Sequence, residues 1–129
     1  MTLRSLAHMP DVRGKRVLVR VDHNVEDAGK DDRKLRVSLR TLEALLSKGA
    51  ALILMTHIGR PKGKVVETLR TKPIAEHLAT LIPTLSAVRA VPDVVGPAVR
   101  KEAEKLRSGE VLYLENVRFH PEEEGNDHA

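Results

Sequence analysis

Three short stretches of the chain concentrate side chains able to bind an anion. They are Asp22-His23-Asn24, Thr56-His57-Ile58-Gly59-Arg60-Pro61-Lys62-Gly63-Lys64 and Glu115-Asn116-Val117-Arg118-Phe119-His120. The guanidinium groups of Arg60 and Arg118 suit phosphate or carboxylate, because their paired donors match two oxygens and stay charged at every relevant pH. His57 adds a ring donor. Gly59 and Gly63 let the backbone approach an anion closely or take a positive φ. Asp22 and Asn24 supply what no Arg or Lys can, acceptors for sugar-type hydroxyls. The combined chemistry is an oxyanion pocket with a hydroxyl-reading side. Taken singly, each residue has a plainer reading. Asp22 and Asn24 suit a turn stabilised through their own backbone, the lysines and Arg60 a solvated surface, His57 a surface or packed ring, and Glu115 and Asn116 a cap on the next turn of chain.

What would bring the three stretches together is the pattern of elements that carries them. Arg16-Val17-Leu18-Val19-Arg20-Val21 is short, Val-rich and preceded by Gly14, which reads as a strand. From Lys34 to Lys48, Leu35, Leu39, Leu42 and Leu46 recur on one helical face, and Gly49 is placed to end that helix. Ala51 to Met55 is a continuous apolar run, as expected for a strand covered on both faces. After a polar loop, Thr71 is placed to cap a second helix with Pro73 in its first turn and Ile74, Leu78 and Leu81 facing inward. Ala87 to Val91 is a strand candidate. Val95, Val99, Glu102 or Ala103, and Leu106 outline a third helix ended by Ser108-Gly109, and Val111 to Leu114 reads as the last strand. Strands alternating with helices predict an α/β fold, a three-layer α/β/α arrangement around a parallel sheet. Ligands of such sheets bind at the carboxyl ends of the strands, where all three polar stretches fall. Arg60, Arg118 and His57 are then expected to converge on one rim.

With 129 residues the chain has the size of one domain. Tyr113 and Phe119 are its only aromatics, so packing falls to Leu, Val, Ile and Ala. Lys and Arg outnumber Asp and Glu by 22 to 18, and the resulting net charge of +4 fits an anionic partner. Scarce aromatics weigh against stacking on single-stranded nucleic acid, so no nucleic-acid partner is expected. Cysteine is absent, which removes disulfides and thiolate metal sites. Ala50 to Met55, the longest apolar run, is too short to span a bilayer, and Met1-Thr2-Leu3-Arg4 lacks the core of a signal peptide. A cytoplasmic protein without a membrane partner is expected. Gly63-Lys64 is followed by Val65, so the P-loop pattern is not met; there is no GxGxxG or HExxH, and no metal site is expected. The acidic tail from Glu122 to Asp127 reads as exposed and turn-like.

At the three polar stretches the likeness becomes specific. Gly14-Lys15-Arg16-Val17-Leu18-Val19-Arg20-Val21-Asp22-His23-Asn24-Val25 resembles the GKRVLVRVDFNVP signature of phosphoglycerate kinases. Ile53 to Gly63 is similar to their VILMSHLGRPKG segment, and Tyr113 to His120 to their LLLENLRFH. The resemblance runs from near Leu3 to about Asp127 and implies a partial amino-terminal, 3-phosphoglycerate-binding domain over residues 1–129, well under half of a typical member. It implies that Asp22 and Asn24 contact the hydroxyl and carboxylate region of the substrate. His57, Arg60 and Arg118 would bind its anionic groups, with Gly59 lining the site.

The family's arginine at the start of the first helix, assigned to substrate binding and to charge stabilisation during transfer, aligns with Lys34. Arg33 takes its place if the register shifts by one. Lys keeps the charge but loses the planar fork. The family's Phe in DFN is His23, and the proline closing that signature is Glu26. Mg-ATP or Mg-ADP belongs to the carboxy-terminal domain, whose elements this chain does not carry. The implied partners are therefore 3-phosphoglycerate or 1,3-bisphosphoglycerate and a complementary carboxy-terminal half; full-length members are usually monomeric. The implied reaction is phosphoryl transfer between 1,3-bisphosphoglycerate and ADP in glycolysis, with the chain inactive alone. The alternative is a non-catalytic anion- or metabolite-binding paralogue of the same fold.

Overall fold

The computed structural model describes residues 11–25, 27–82 and 87–121. Glu26 and the acidic tail lie outside them. Along the chain run β1 (Arg16–Arg20), α1 (Arg33–Ser47), β2 (Ala51–Met55), α2 (Lys72–Leu81), β3 (Ala87–Ala90), α3 (Pro97–Glu104) and β4 (Glu110–Tyr113), with single 3-10 turns at Glu67–Leu69 and Val117–Phe119. The four strands form one parallel sheet in the order β1-β2-β4-β3. Right-handed crossovers then dictate where the helices go. From β1 through β2 to β3 the chain steps one way across the sheet, which puts α1 and α2 on one face. From β3 back to β4 it steps the other way, which puts α3 on the opposite face.

The alternation of side chains along β2 records this. Leu52 and Leu54 point into a core built with Leu35, Leu42 and Leu45 of α1 and Ile74, Ala75 and Leu78 of α2. Ile53 and Met55 point into a second core with Leu112, Leu114, Val99, Ala103 and Leu106. Each fully buried Leu contributes about 1.5–3 kcal/mol, so these two aliphatic layers drive the assembly with little aromatic help. The three-layer expectation thus holds, and β2 is covered on both faces. Among the described residues β1 borders the sheet and is covered on one face only: Val17 and Val19 pack inward, whereas Arg16, Leu18 and Arg20 are exposed.

Two local expectations are corrected. Val95 and Leu106 do not belong to α3: Val95 is exposed, the helix begins only after Gly96, whose φ of 114° lies outside the helical range, and it ends at Glu104 rather than at Ser108-Gly109. Thr71 sits at the amino end of α2 but does not cap it through its side chain, which donates instead to the Leu114 carbonyl oxygen (2.8 Å). The end of α1 is as expected, with Gly49 at φ 85°. Among the described residues no helix is long and apolar enough to cross a membrane.

Candidate functional site

The strand rhythm of β1 continues past its end. Val21 N–H donates to the Met55 carbonyl oxygen, and His23 N–H to Thr56 Oγ1. Alternation then sends His23 into the core with no exposed surface, while Asp22 and Asn24, its neighbours, reach the rim. The second loop is anchored by buried Thr56 and Ile58 and turns through Gly59 (φ 61°), Lys62 (φ 57°) and Gly63 (φ 75°). A Cβ on Gly63 would lie 3.0 Å from the Pro121 side chain, so this loop and the third pack backbone against ring.

Buried side chains bind the loops to one another. Asn116 has no exposed surface; its Oδ1 accepts from Ile58 N–H and Arg118 N–H, and its Nδ2 donates to the carbonyl oxygens of Ile58 and Leu69. Asn24 Oδ1 accepts from Gly59 N–H (2.9 Å), and Gly63 N–H donates to the Arg118 carbonyl oxygen. Glu115 accepts from Thr71 N–H and from Arg70, whose guanidinium also lies over the Phe119 ring. Unpaired buried polar groups are costly, so this degree of satisfaction fixes the three loops as one unit.

Lys34, in the first turn of α1, reaches over to the first loop. Its Nζ donates to Asp22 Oδ1 (3.4 Å) and to the Asn24 carbonyl oxygen (3.3 Å). Burial pushes the Asp22 carboxyl up, but the Asn24 N–H, Lys34 and His57 together outweigh it and hold the group below its ordinary value. Arg33 does not make this reach. It forks onto Asp31 (3.0 and 2.9 Å) and holds that carboxyl down at about 2. Of the two registers open in the sequence, Lys34 is the residue placed at the first loop.

His57 lies between Arg20 and Asn24, with Arg20 Nη2 3.4 Å from Nδ1 and Asn24 Nδ2 3.5 Å from Nε2. Arginine only donates, so the Arg20 approach calls for Nδ1 as acceptor, while the Asn24 amide approach calls for Nε2 as acceptor; the tautomer decides which of the two is a hydrogen bond.

Asp22, Asn24, Lys34, His57 and Gly59 are linked by direct contacts. Arg60 is exposed and Arg118 half-buried, on the two loops that Gly63 clamps side by side. A cleft of about 700 Å³ opens beside Asp22, Asn24 and Lys34, its far wall formed by Asp27, Lys30, Asp31 and Arg33. Asn24 is less available than its type suggests, because its side-chain oxygen is committed to Gly59. Arg20 escaped the sequence reading, although its place as the last residue of β1 put a cation at the rim. Thr56 and Asn116 also serve as struts, and nothing in their residue type distinguished that from capping. Among the described residues no group of three His, Asp or Glu side chains could hold a metal ion.

The chain resembles known proteins over most of its length. A family model described as phosphoglycerate kinase matches residues 6–129. Phosphoglycerate kinase of Gloeothece citriformis is 53% identical over 121 residues, covering 91% of this chain and 30% of that protein. The Moorella thermoacetica protein of the same name is 52% identical over 130 residues, covering 98% and 32%. The crystal structure of phosphoglycerate kinase from Pyrococcus horikoshii superimposes with a TM-score of 0.78 at 31% identity, over 94% of this chain and 29% of that one. The chain thus spans about 30% of the length of the curated relatives it matches.

Proposed function

Because this chain belongs to the phosphoglycerate kinase family, a family of kinases, we propose that its rim of strand ends is the 3-phosphoglycerate-binding part of that enzyme. The observation that carries this reading is the direct linkage of Asp22, Asn24, Lys34, His57 and Gly59, of which Asp22, Asn24 and Lys34 line an open cleft. Lys34 and the amino end of α1 present positive charge to an incoming anion. His57 adds a ring donor, and Arg60 and Arg118 supply guanidinium groups for phosphate and carboxylate. Asp22, held ionised, accepts from the substrate hydroxyl.

The reaction would be the glycolytic transfer of a phosphoryl group between 1,3-bisphosphoglycerate and ADP, in the cytoplasm. Such transfer rests on positioning and on neutralising charge over the equatorial oxygens, which is what a cationic rim contributes. The magnesium nucleotide, which would supply or accept the phosphoryl group, is not assigned to these residues. Its binding elements would lie in a complementary carboxy-terminal half, and this chain would be inactive alone. Nucleic acid and membrane are not proposed as partners.

Titration of 3-phosphoglycerate into the chain, followed by amide NMR, tests the reading. A saturable response centred on residues 22–24 and 57–60, weakened in Arg60→Ala and Arg118→Ala, is expected; no saturable response in the parent chain would overturn it. A second reading, a non-catalytic metabolite-binding paralogue, is favoured by one observation: Lys34, lacking the planar fork of Arg, is engaged with Asp22. It predicts the same titration without phosphoryl transfer once a carboxy-terminal half is supplied.

A further inference from the structure

His23 and Tyr113 are 90 residues apart in sequence. In the structure they touch: His23 Nδ1 lies 2.6 Å from the Tyr113 hydroxyl, and both side chains are fully buried. On the other side of the ring, Nε2 lies 2.8 Å from Ser38 Oγ, on α1. The protons in this set can be assigned. Ser38 has one hydroxyl proton and gives it to the Leu35 carbonyl oxygen at 2.6 Å. Its oxygen must therefore accept from His23, which places the ring proton on Nε2 and leaves Nδ1 as an acceptor. Tyr113 then donates to Nδ1. The chain of bonds runs one way, from Tyr113 of β4 through His23 to Ser38 of α1, and satisfies every member.

We propose that His23 is a positioning residue: the Tyr113–His23–Ser38 strut fixes the turn on which Asp22 and Asn24 stand at the mouth of the cleft. A ring held at both nitrogens cannot rotate about its axis, and its backbone is held besides by Thr56. Asp22 and Asn24, the residues on either side, inherit that constraint. An apolar ring at position 23 would fill the same space without fixing its rotation, and would leave the Tyr113 hydroxyl without its acceptor. This role rests on the proposal that the cleft takes 3-phosphoglycerate, since that is the ligand whose hydroxyl Asp22 would meet.

The experiment combines a signature of the strut with a binding measurement. Imidazole ¹⁵N spectra of the chain at neutral pH are expected to show His23 neutral with its proton on Nε2; the other tautomer, or a charged ring, would overturn the assignment. Tyr113→Phe removes one hydroxyl and leaves Nδ1 without a donor. It is expected to move the Asp22 and Asn24 amide resonances and to weaken 3-phosphoglycerate binding severalfold, because a turn no longer held must be ordered when the ligand binds. The double variant His23→Phe/Tyr113→Leu, with no polar atom left unpaired between those positions but no strut either, is expected to regain stability in urea melts while the Asp22 and Asn24 resonances stay displaced. Recovery of the parent resonances and affinity would overturn the proposal. Unchanged Asp22 and Asn24 resonances in Tyr113→Phe, or unchanged affinity, would overturn the proposal. Ser38→Ala breaks the other end and provides the same test if Tyr113→Phe does not fold. If the parent chain shows no saturable response, the substrate reading fails, while the tautomer and the resonance shifts still decide whether the strut exists.

Discussion

Acidification from pH 7 to pH 5 acts on His23 before it acts on the carboxylates. The ring is fully buried and both nitrogens are engaged; burial pushes its pKa down to about 4 from 6.5, and the neighbouring Asp22 charge opposes this only in part. The unfolded chain takes up a proton at this residue once the pH falls below about 6.5, whereas the folded chain does not until about 4. Stability from His23 is therefore complete above 6.5, declines as the pH falls through that window, and changes no further below 4. At about 1.4 kcal/mol per pH unit for one proton, the window of roughly 2.5 units amounts to about 3 kcal/mol, a large share of the roughly 5–15 kcal/mol typical of a domain.

The measurement is urea unfolding of the parent chain and of His23→Phe at pH 7, 6 and 5. The hydroxyl of Tyr113, left without its acceptor in the variant, lowers stability equally at every pH and cancels from the slope. Asp22, Asp32, Glu67 and Asp93, all held below their ordinary values, lose their contribution at lower pH and in both proteins alike. The parent is expected to lose about one proton's worth of stability per pH unit more than the variant near pH 5. Equal slopes would refute the reasoning, because they would mean that the ring takes up its proton in the folded chain as readily as in the unfolded one.

Three other perturbations separate the roles of the site residues. Asn116→Ala strips partners from four backbone groups joining the second and third loops, and is expected to cost about 3–5 kcal/mol by denaturant melts; a loss under about 1 kcal/mol would mean that water replaces the amide. Lys34→Ala removes an exposed pair and should change stability by less than about 1 kcal/mol, while weakening 3-phosphoglycerate about tenfold or more in calorimetry; unchanged affinity would remove Lys34 from the site. Gly63→Ala combines a φ of 75° with a Cβ 3.0 Å from Pro121, so a cost of about 1–3 kcal/mol is expected, together with amide shifts at Arg118; a neutral result would show that the clamp between the loops is slack.

The elements were readable where one physical signal dominated. The unbroken apolar run at 51–55 could only be a strand with both faces covered, and the leucines at 35, 42 and 46 could only share a helical face. Val95 misled because it lies at helical spacing from Val99, while Gly96 and Pro97 between them set where the helix starts. Thr71 was a fair cap by type, but a carbonyl from the end of β4 was the nearer partner. At the site, residue types announced an anion pocket, yet not which polar groups the protein uses on itself. Asn24 and Asn116 are alike in sequence terms, and both are committed to backbone groups of other loops. His23 stood out only as a departure from the family pattern, since its partner Tyr113 is far along the chain and a buried hydrogen bond between them leaves no periodicity to read.

The exposed side of β1 bears on how copies of this chain behave at high concentration. It is a bordering strand of the sheet, with Leu18 61% exposed between Arg16 and Arg20. Two copies meeting there antiparallel and centred on Leu18 would set Arg16 of each against Arg20 of the other, and like charges directly opposite repel. The two arginines are thus expected to disfavour stacking of copies along this strand. Arg16→Val/Arg20→Val is expected to raise light scattering well above that of the parent chain, and clear solutions of both would show that the charges have no such part.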